Sequence, residues 1–333
     1  MLKLDLNEGF NNKQPGYGYA RMTDYEHAKK VLGGYAGVEP DHLVITNGSF
    51  HALDLVLGFL FRAGDKIILP VPTFPCYEKF QKQGDLKFIK LNYSSNFSAQ
   101  IILDKLKSIS VQGLYLANPN NPIGYTFTKL EIKKIISEAK KKKVLVLLDE
   151  AYFEFCGITA VNLIDKYDNL VITRTLSKAF GLAGVRFGYI ITNPKLAKKL
   201  EESKGPPYII SHLAMNIGVK MLSSSGQKKM RKYVSENNKT RKDLADFLTE
   251  EGYKVFPSQT NFISFNTANS ARITAGLAKK NILVKDSGDY LDGQSSLKNC
   301  IRITIPPANK LSQIKTAIRM QGIGMAVGED KTI

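Results

Sequence analysis

The chain of 333 residues is 43% hydrophobic and 23% charged, the balance of a soluble globular protein with one large domain or two moderate ones. Its net charge is +17, from 47 Lys and Arg against 30 Asp and Glu, yet the basic residues are spread out and accompany no nucleic-acid recognition motif. We therefore predict a solvated lysine-rich surface and no nucleic-acid partner. The chain has no apolar run long enough to span a membrane and no apolar signal-peptide core, so we predict no membrane contact and no secretory leader.

The three cysteines, Cys76, Cys156 and Cys300, lie far apart and form no C-x-x-C pair. This spacing indicates reduced thiols and neither a disulfide framework nor a zinc site. We accordingly predict a cytoplasmic protein without a bound metal.

Between residues 26 and 205, short apolar runs alternate with helical patterns. Helices are predicted at 50–57 and 129–142. Strands are predicted at 43–46, 66–69, 87–91, 113–117, 144–148 and 170–173. Continuously apolar strands are typical of sheets covered on both faces, and intervening helices favour parallel strands. The prediction is an α/β fold with a mainly parallel central sheet.

The pattern changes after Gly205-Pro206-Pro207. A long helical stretch over 211–248 is followed by strands at 253–256 and 262–265 and a last helix at 311–320. We therefore predict a large α/β domain over 26–205 and a smaller α+β domain. The smaller domain comprises 206–333 together with an N-terminal arm, 1–25. The residues from Gly322 onward are predicted to be a flexible tail.

Lys178 is the first candidate for chemistry, because it follows a predicted buried strand on a loop of small residues. A lysine in a walled site loses hydration, its pKa falls, and the free amine can form a Schiff base with a carbonyl. Arg186, in the same loop, keeps its charge and suits a phosphate. An isolated Ser-Lys pair is more often a plain surface loop, so this assignment depends on the neighbouring motifs.

Other motifs also follow predicted strands, where ligands of parallel sheets gather. Asp149 ends an apolar strand and shares the D-E-A-Y motif with Tyr152; the alternative for Asp149 is a helix cap. The segment 118–124, N-P-N-N-P-I-G, is expected to form a turn that directs amide side chains into the cleft, although turn formation alone explains it equally well.

Two further motifs fit a phosphate and a ring. Thr46-Asn47-Gly48-Ser49 lies between a strand and a helix, where exposed N–H groups form a phosphate seat. Phe74 is held in P-V-P-T-F-P as a stacking platform or as part of the core.

Together the motifs predict a site for a cofactor that is flat, anionic and aldehyde-bearing. Pyridoxal phosphate has these three properties. Lys178 would form the Schiff base, Asp149 would face the ring nitrogen, Asn121 and Tyr152 would bond the ring hydroxyl, and Phe74 would stack on the ring. The predicted phosphate-binding residues are Gly48, Ser49, Thr175, Ser177 and Arg186.

Over nearly its whole length the chain resembles fold-type I aminotransferases of the class I/II group, and most of all their histidinol-phosphate aminotransferase branch. The resemblance is carried by T-L-S-K-A-F-G-L-A-G-V-R-F-G-Y at 175–189, by N-P-N-N-P-x-G and by D-E-A-Y. It implies transfer of an amino group between an amino acid, or an amine such as histidinol phosphate, and a 2-oxo acid. Lys178, Asp149 and Tyr152 would be catalytic.

The resemblance also implies roles for residues outside these motifs. Arg302, with Asn121, would bind the substrate carboxylate. Tyr19, or less favourably Tyr17, would reach across a homodimer interface to the phosphate of the neighbouring site.

The chain departs from the branch at three places. Asn7-Glu8-Gly9-Phe10 replaces N-x-N-E-N-P, Phe50-His51 replaces an acidic pair, and Ile305-Pro306-Pro307 stands where a glycine is common. These departures leave the substrate open. A lyase or decarboxylase resembling threonine-phosphate decarboxylase is the alternative reaction, and a non-enzymatic basic binding protein is the alternative class.

Overall fold

The computed structural model describes residues 19–93, 97–204, 210–287 and 299–322. Its helices are α1 (Met22–Ala36), α2 (Gly48–Phe59), α3 (Glu78–Lys82), α4 (Ala99–Ser108), α5 (Lys129–Lys141), α6 (Phe153–Cys156), α7 (Pro194–Ser203), α8 (His212–Met221), α9 (Ser224–Glu250), α10 (Ser270–Ala278) and α11 (Leu311–Gly322). Its strands are β1 (Leu43–Asn47), β2 (Lys66–Val71), β3 (Lys87–Asn92), β4 (Gly113–Ala117), β5 (Leu145–Asp149), β6 (Leu170–Thr175), β7 (Phe187–Thr192), β8 (Lys254–Val255), β9 (Phe262–Asn266), β10 (Lys285–Asp286) and β11 (Cys300–Thr304).

A seven-stranded sheet in the order β1-β7-β6-β5-β4-β2-β3 forms the centre of the fold. Strand β7 is antiparallel to both of its neighbours, β1 and β6, and the other pairs are parallel. The predicted mainly parallel sheet is therefore confirmed. Strand β7 was not predicted; its F-G-Y-I-I-T overlaps the end of the lysine motif.

Apolar side chains cover both faces of this sheet. Leu114 and Leu116 of β4 belong to one buried hydrophobic cluster, whereas Tyr115 between them belongs to the other. The same alternation separates Leu148 from Leu147 in β5. Successive strand residues point to opposite faces, so a continuous apolar run is what a doubly covered strand requires.

A second sheet, in the order β10-β11-β9-β8, is antiparallel throughout. It has its own hydrophobic cluster, which includes Leu244 of α9, Ile263 of β9 and Ile301 of β11. The helix predicted over 211–248 is in fact two helices, α8 and α9. Ser223 caps α9, since its side chain accepts a hydrogen bond from the Gly226 N–H.

The domain boundaries remain predictions. The one between residues 25 and 26 falls within α1, and α8 packs against α1 and against β7 of the large sheet. Gly205-Pro206-Pro207 and the predicted tail beyond Gly322 lie outside the described residues. Within the part of the chain that is described, no helix combines the length and the apolar character needed to cross a bilayer.

Glu150 and Arg174 form a buried ion pair beneath the carboxyl edge of the large sheet. Their closest nitrogen–oxygen distance is 2.8 Å, and each side chain is almost fully buried. Glu150 also accepts hydrogen bonds from the Thr159 hydroxyl at 2.9 Å and the Ala160 N–H at 2.7 Å. The Arg174 guanidinium lies 3.7 Å from the centre of the Phe153 ring. These partners compensate a charge pair whose desolvation is costly.

Candidate active site

The predicted site residues meet at the carboxyl edge of the large sheet. Strands β1, β4, β5 and β6 all run in one direction, so their ends lie on the same edge. The N-terminus of α2 follows β1, the 118–124 loop follows β4, Asp149 ends β5, and Lys178 follows β6. The topology thus brings together motifs that are far apart in sequence.

Lys178 is half-buried at this edge, with its amine 5.5 Å from the centre of the Tyr152 ring. Burial lowers the pKa of the Lys178 amine, and the positive charges of Arg302 and Arg186 lower it further, while Asp149 opposes them. The site therefore shifts Lys178 toward the neutral amine, which is the nucleophilic form, relative to a lysine in water.

Asp149 is buried, with 7% of its surface exposed, and its carboxylate accepts three hydrogen bonds. Oδ1 accepts from the Thr173 hydroxyl at 3.2 Å and from the Ala151 N–H at 3.1 Å, and Oδ2 accepts from the Tyr115 hydroxyl at 3.2 Å. Burial raises the pKa of Asp149 to about 6, and these hydrogen bonds oppose the rise. Asp149 is therefore a carboxylate at neutral pH, although it is inside the protein.

The predicted phosphate-binding residues surround the start of β7. Thr46 of β1 and Thr175 of β6 both pair with Gly188, so the short strand joins the α2 N-terminus to the lysine loop. The Thr175 and Ser177 hydroxyls are 2.8 Å apart. A helix N-terminus beside hydroxyl groups is a favourable anion site.

Gly48 and Arg186 complete this candidate phosphate site, which we call the cradle. Gly48 begins α2 with a φ of +78°, and a Cβ placed on it would lie 2.2 Å from an Arg186 guanidinium nitrogen. The guanidinium thus packs directly on the Gly48 backbone, where a side chain would displace it. This arrangement fits a phosphate group, because it places a guanidinium beside the first residue of α2, and a helix N-terminus attracts anions.

The second sheet contributes Arg302, from β11. Its Nη1 donates a hydrogen bond to Asn121 Oδ1 at 2.5 Å, and its guanidinium lies 5.4 Å from the centre of the Phe262 ring. Phe262 meets Tyr152 edge-to-face at 5.4 Å. Arg302 and Asn121 are thus placed together, next to Tyr152.

Two other amides of the 118–124 loop bond to backbone groups outside the loop. Asn118 Oδ1 accepts from the Phe127 N–H at 2.6 Å, and Asn120 Nδ2 donates to the Pro72 carbonyl at 3.2 Å. The prediction that the amides point into the cleft therefore does not hold for these two residues, because buried backbone groups require them as partners.

Phe74 is half-buried and meets Phe50 edge-to-face, with ring centres 6.3 Å apart. His51, beside Phe50, accepts a hydrogen bond from the Asn47 N–H through Nδ1 at 3.1 Å. Burial lowers the pKa of His51, and Asp54 opposes this, so the ring favours the neutral form that can accept. In the sequence, Phe50 and His51 stand out only as a departure from the branch, and neither contact was predicted.

The described residues include Tyr19, with 52% of its surface exposed. Tyr17 and the segment Asn7-Glu8-Gly9-Phe10 lie outside them.

Comparison with known proteins agrees with this geometry. Residues 6–320 match the family described as Aminotransferase class I and II. Histidinol-phosphate aminotransferase from Thermoanaerobacter sp. (strain X514) is 34% identical over 283 residues, which cover 84% of this chain and 78% of that protein.

Two solved structures share the fold. Histidinol-phosphate aminotransferase from Sinorhizobium meliloti, in complex with pyridoxal-5'-phosphate, has a TM-score of 0.80 at 21% identity, covering 93% of this chain and 84% of that chain. L-threonine-O-3-phosphate decarboxylase from Porphyromonas gingivalis has a TM-score of 0.74 at 21% identity, covering 90% and 92%.

The chain therefore belongs to the class I and II aminotransferase family, with the fold-type I architecture. Within that family it is a pyridoxal-phosphate-dependent aminotransferase that is similar to histidinol-phosphate aminotransferases. The predicted fold, enzyme class and cofactor are confirmed. The site suits this cofactor in three respects. Gly48 and Arg186 offer a place for its phosphate, Lys178 has a lowered pKa, and Asp149 is a buried carboxylate.

The contact between Gly48 and Arg186 generates a test of the cradle. Gly48→Ala places a methyl group against the guanidinium, so the affinity for pyridoxal phosphate should fall about tenfold or more, as for loss of one charge-assisted hydrogen bond. Gly37→Ala is the matched control, because Gly37 has a similar φ of +74° but nothing within 4 Å of its added Cβ. Cofactor titration by absorbance measures both. Equal affinities of the two variants would contradict the assignment.

Proposed function

We propose that Lys178, Asp149 and Tyr152 carry out the amino-group transfer, and that Arg302 and Asn121 bind the substrate. The observation that carries the proposal is the placement of a lysine of lowered pKa and a buried carboxylate at the ends of neighbouring parallel strands. When bound, pyridoxal phosphate supplies an aldehyde and an aromatic ring that withdraws electrons from the substrate Cα.

Each residue has a separate task in this proposal. Lys178 would hold the cofactor through its amine and would hold and move a proton at the substrate Cα. Asp149 would favour a proton on the ring nitrogen, because a carboxylate in a buried site strongly favours a cation beside it. Tyr152 and Asn121 would bond the ring hydroxyl, and Phe74 would stack on the ring.

Phosphate binding is assigned to the cradle residues. The proposed set is Gly48, Ser49, Thr175, Ser177 and Arg186. Tyr19 of a second subunit would complete it.

Arg302 determines that the substrate carries a carboxylate or a similar anion. Its planar guanidinium offers parallel donors that match a carboxylate, which a lysine cannot reproduce. We propose amino acids or amino-acid-derived amines such as histidinol phosphate as donors, and a 2-oxo acid as acceptor, in keeping with the relatives. The predicted division into residues 26–205 and 206–333 with 1–25 would place this site between two domains.

A second reaction is supported by the fold shared with the Porphyromonas gingivalis decarboxylase. The same cofactor-binding residues would serve a lyase or decarboxylase, which differs in the bond held perpendicular to the ring. Transamination is the better supported reaction, because the family and the curated relative are both aminotransferases.

A donor screen tests the reaction. Purified enzyme is incubated with amino donors, including histidinol phosphate, and 2-oxoglutarate, and both glutamate and carbon dioxide are measured. We expect glutamate to form in step with loss of the donor. Release of carbon dioxide without glutamate would replace transamination by decarboxylation.

Labelling tests the assignment of Lys178. Borohydride reduction of the holoenzyme followed by peptide mass mapping should place the pyridoxyl group on Lys178. Lys204 is the internal control, because burial lowers its pKa as well, yet Glu201 pairs with its amine at 2.7 Å. A pyridoxyl group on Lys204 or another lysine would disprove the assignment.

We further propose a cytoplasmic homodimer. Free cysteines at positions 76, 156 and 300 support the location. Helices α1 and α8 contact each other and carry exposed apolar side chains, Met22, Leu213 and Ile217, at 61%, 43% and 41% exposure. These side chains support the proposal that a second copy of the chain covers them. A two-fold dimer uses one patch twice, so each site would receive one Tyr19.

Mixed dimers test the shared site. Combining Lys178→Ala chains with Tyr19→Phe chains should create one site with both defects and one with neither, so part of the lost activity returns. Each variant mixed with itself is the control. No recovery after verified subunit exchange, or a fully active monomer by light scattering, would exclude sharing.

A further inference from the structure

Three neighbouring strands bring polar side chains to Asp149 on one face of the large sheet. Asp149 of β5 pairs with Thr173 of β6 on one side and with Ala117 of β4 on the other. Strand side chains alternate between faces, so Tyr115, two residues before Ala117, lies on the same face as Asp149. The parallel register therefore places a tyrosine hydroxyl against the carboxylate.

The structure assigns Tyr115 as a positioning residue that donates its hydroxyl hydrogen bond to Asp149 Oδ2 and keeps this carboxylate anionic opposite the cofactor ring nitrogen. This inference rests on the proposed role of Asp149. It adds a residue from a strand interior, in L-Y-L-A, that no motif in the sequence marks.

The two oxygens of Asp149 are held differently. Oδ1 accepts from two groups, the Thr173 hydroxyl and the Ala151 N–H, whereas Oδ2 accepts from the Tyr115 hydroxyl alone among the described residues. Oδ2 thus depends on Tyr115 both for its orientation and for stabilisation of its charge. Losing that donor leaves Oδ2 of a buried carboxylate without a hydrogen-bond donor from the described residues.

Tyr115 keeps its proton for this bond. It is 1% exposed, and burial raises the pKa of its phenol well above the usual value. The buried Cys76 thiol adjoins the same hydroxyl, and burial raises the pKa of that thiol to about 12. The Tyr115 phenol and the Cys76 thiol therefore both keep their protons at neutral pH. The Asp149 carboxylate is then the acceptor for the Tyr115 hydroxyl.

The donor matters because the ring nitrogen and Asp149 compete for one proton. A carboxylate that accepts more hydrogen bonds is a weaker base, so the proton remains on the ring nitrogen. Removing the Tyr115 hydroxyl should raise the pKa of Asp149 by about one unit, a tenfold change in its proton affinity. The ring would then carry less positive charge.

The test uses full-length holoenzyme loaded with pyridoxal phosphate that is ¹⁵N-labelled in the ring. The ¹⁵N chemical shift reports ring protonation independently of turnover. In Tyr115→Phe the resonance should move toward the unprotonated pyridine position, and this movement should grow with pH. Turnover should fall about tenfold with little change in KM for the amino donor, because Arg302 is not altered.

Tyr93→Phe is the matched control. Tyr93 is also buried, at 6% exposure, and its hydroxyl has no hydrogen-bond partner within the described part of the chain. Its holoenzyme should show the wild-type resonance. A Tyr115→Phe resonance equal to that of wild type, with unchanged near-ultraviolet circular dichroism, would overturn the proposal.

A second replacement covers failure of Tyr115→Phe to fold. 3-Fluorotyrosine at position 115 keeps the shape and makes the hydroxyl a stronger donor, so the ring nitrogen should stay protonated to a higher pH than in the wild type. A pH profile of the ¹⁵N resonance equal to that of the wild type would again overturn the proposal.

Asp149→Asn separates the two levels of inference. Loss of the protonated-ring signal in that variant, without an effect in the Tyr115 variants, would remove only the role of Tyr115. An Asp149→Asn resonance identical to wild type would remove the ring-nitrogen role of Asp149 itself.

Discussion

A negative charge held inside the protein is the constraint on which the site depends. Burial disfavours the Asp149 carboxylate, and strand register supplies hydroxyl donors from both sides that favour its ionised form. That register in turn requires β4, β5 and β6 to be parallel and adjacent. A slip of one residue would turn the Tyr115 or the Thr173 side chain to the opposite face. Chemistry and sheet topology are therefore inseparable here.

A second buried carboxylate, Glu150, lies at the same strand ends, and it is stabilised in a different way. Glu150, next to Asp149, pairs with a buried arginine and is fully bonded. Adjacent carboxylates thus have opposite environments: one is neutralised within the protein, and the other has hydrogen-bond donors but no cation within ion-pair distance among the described residues. The second arrangement suits a residue whose cationic partner is a ligand.

Much of the fold could be predicted because continuous apolar runs are a strong local signal, as in 113–117 and 170–173. The lysine motif likewise located Lys178 and Arg186. Strand β7 was missed, since F-G-Y-I-I-T merges with that motif and its antiparallel direction is set only by pairing with β1 and β6. Tyr115 and the Glu150–Arg174 pair were missed for a similar reason, because such contacts depend on register between distant strands. Ser223 carried a local capping signal that could have divided the predicted long helix.

The Arg302–Asn121 hydrogen bond has a consequence for the cost of binding a ligand. Asn121 Oδ1 occupies one donor of the guanidinium, and the same cation lies near the Phe262 ring. A planar guanidinium has five N–H donors, so one such bond leaves donors for an anion. A side chain that is already ordered loses less conformational entropy when a ligand binds, so in its proposed role Arg302 would be a preorganised cation.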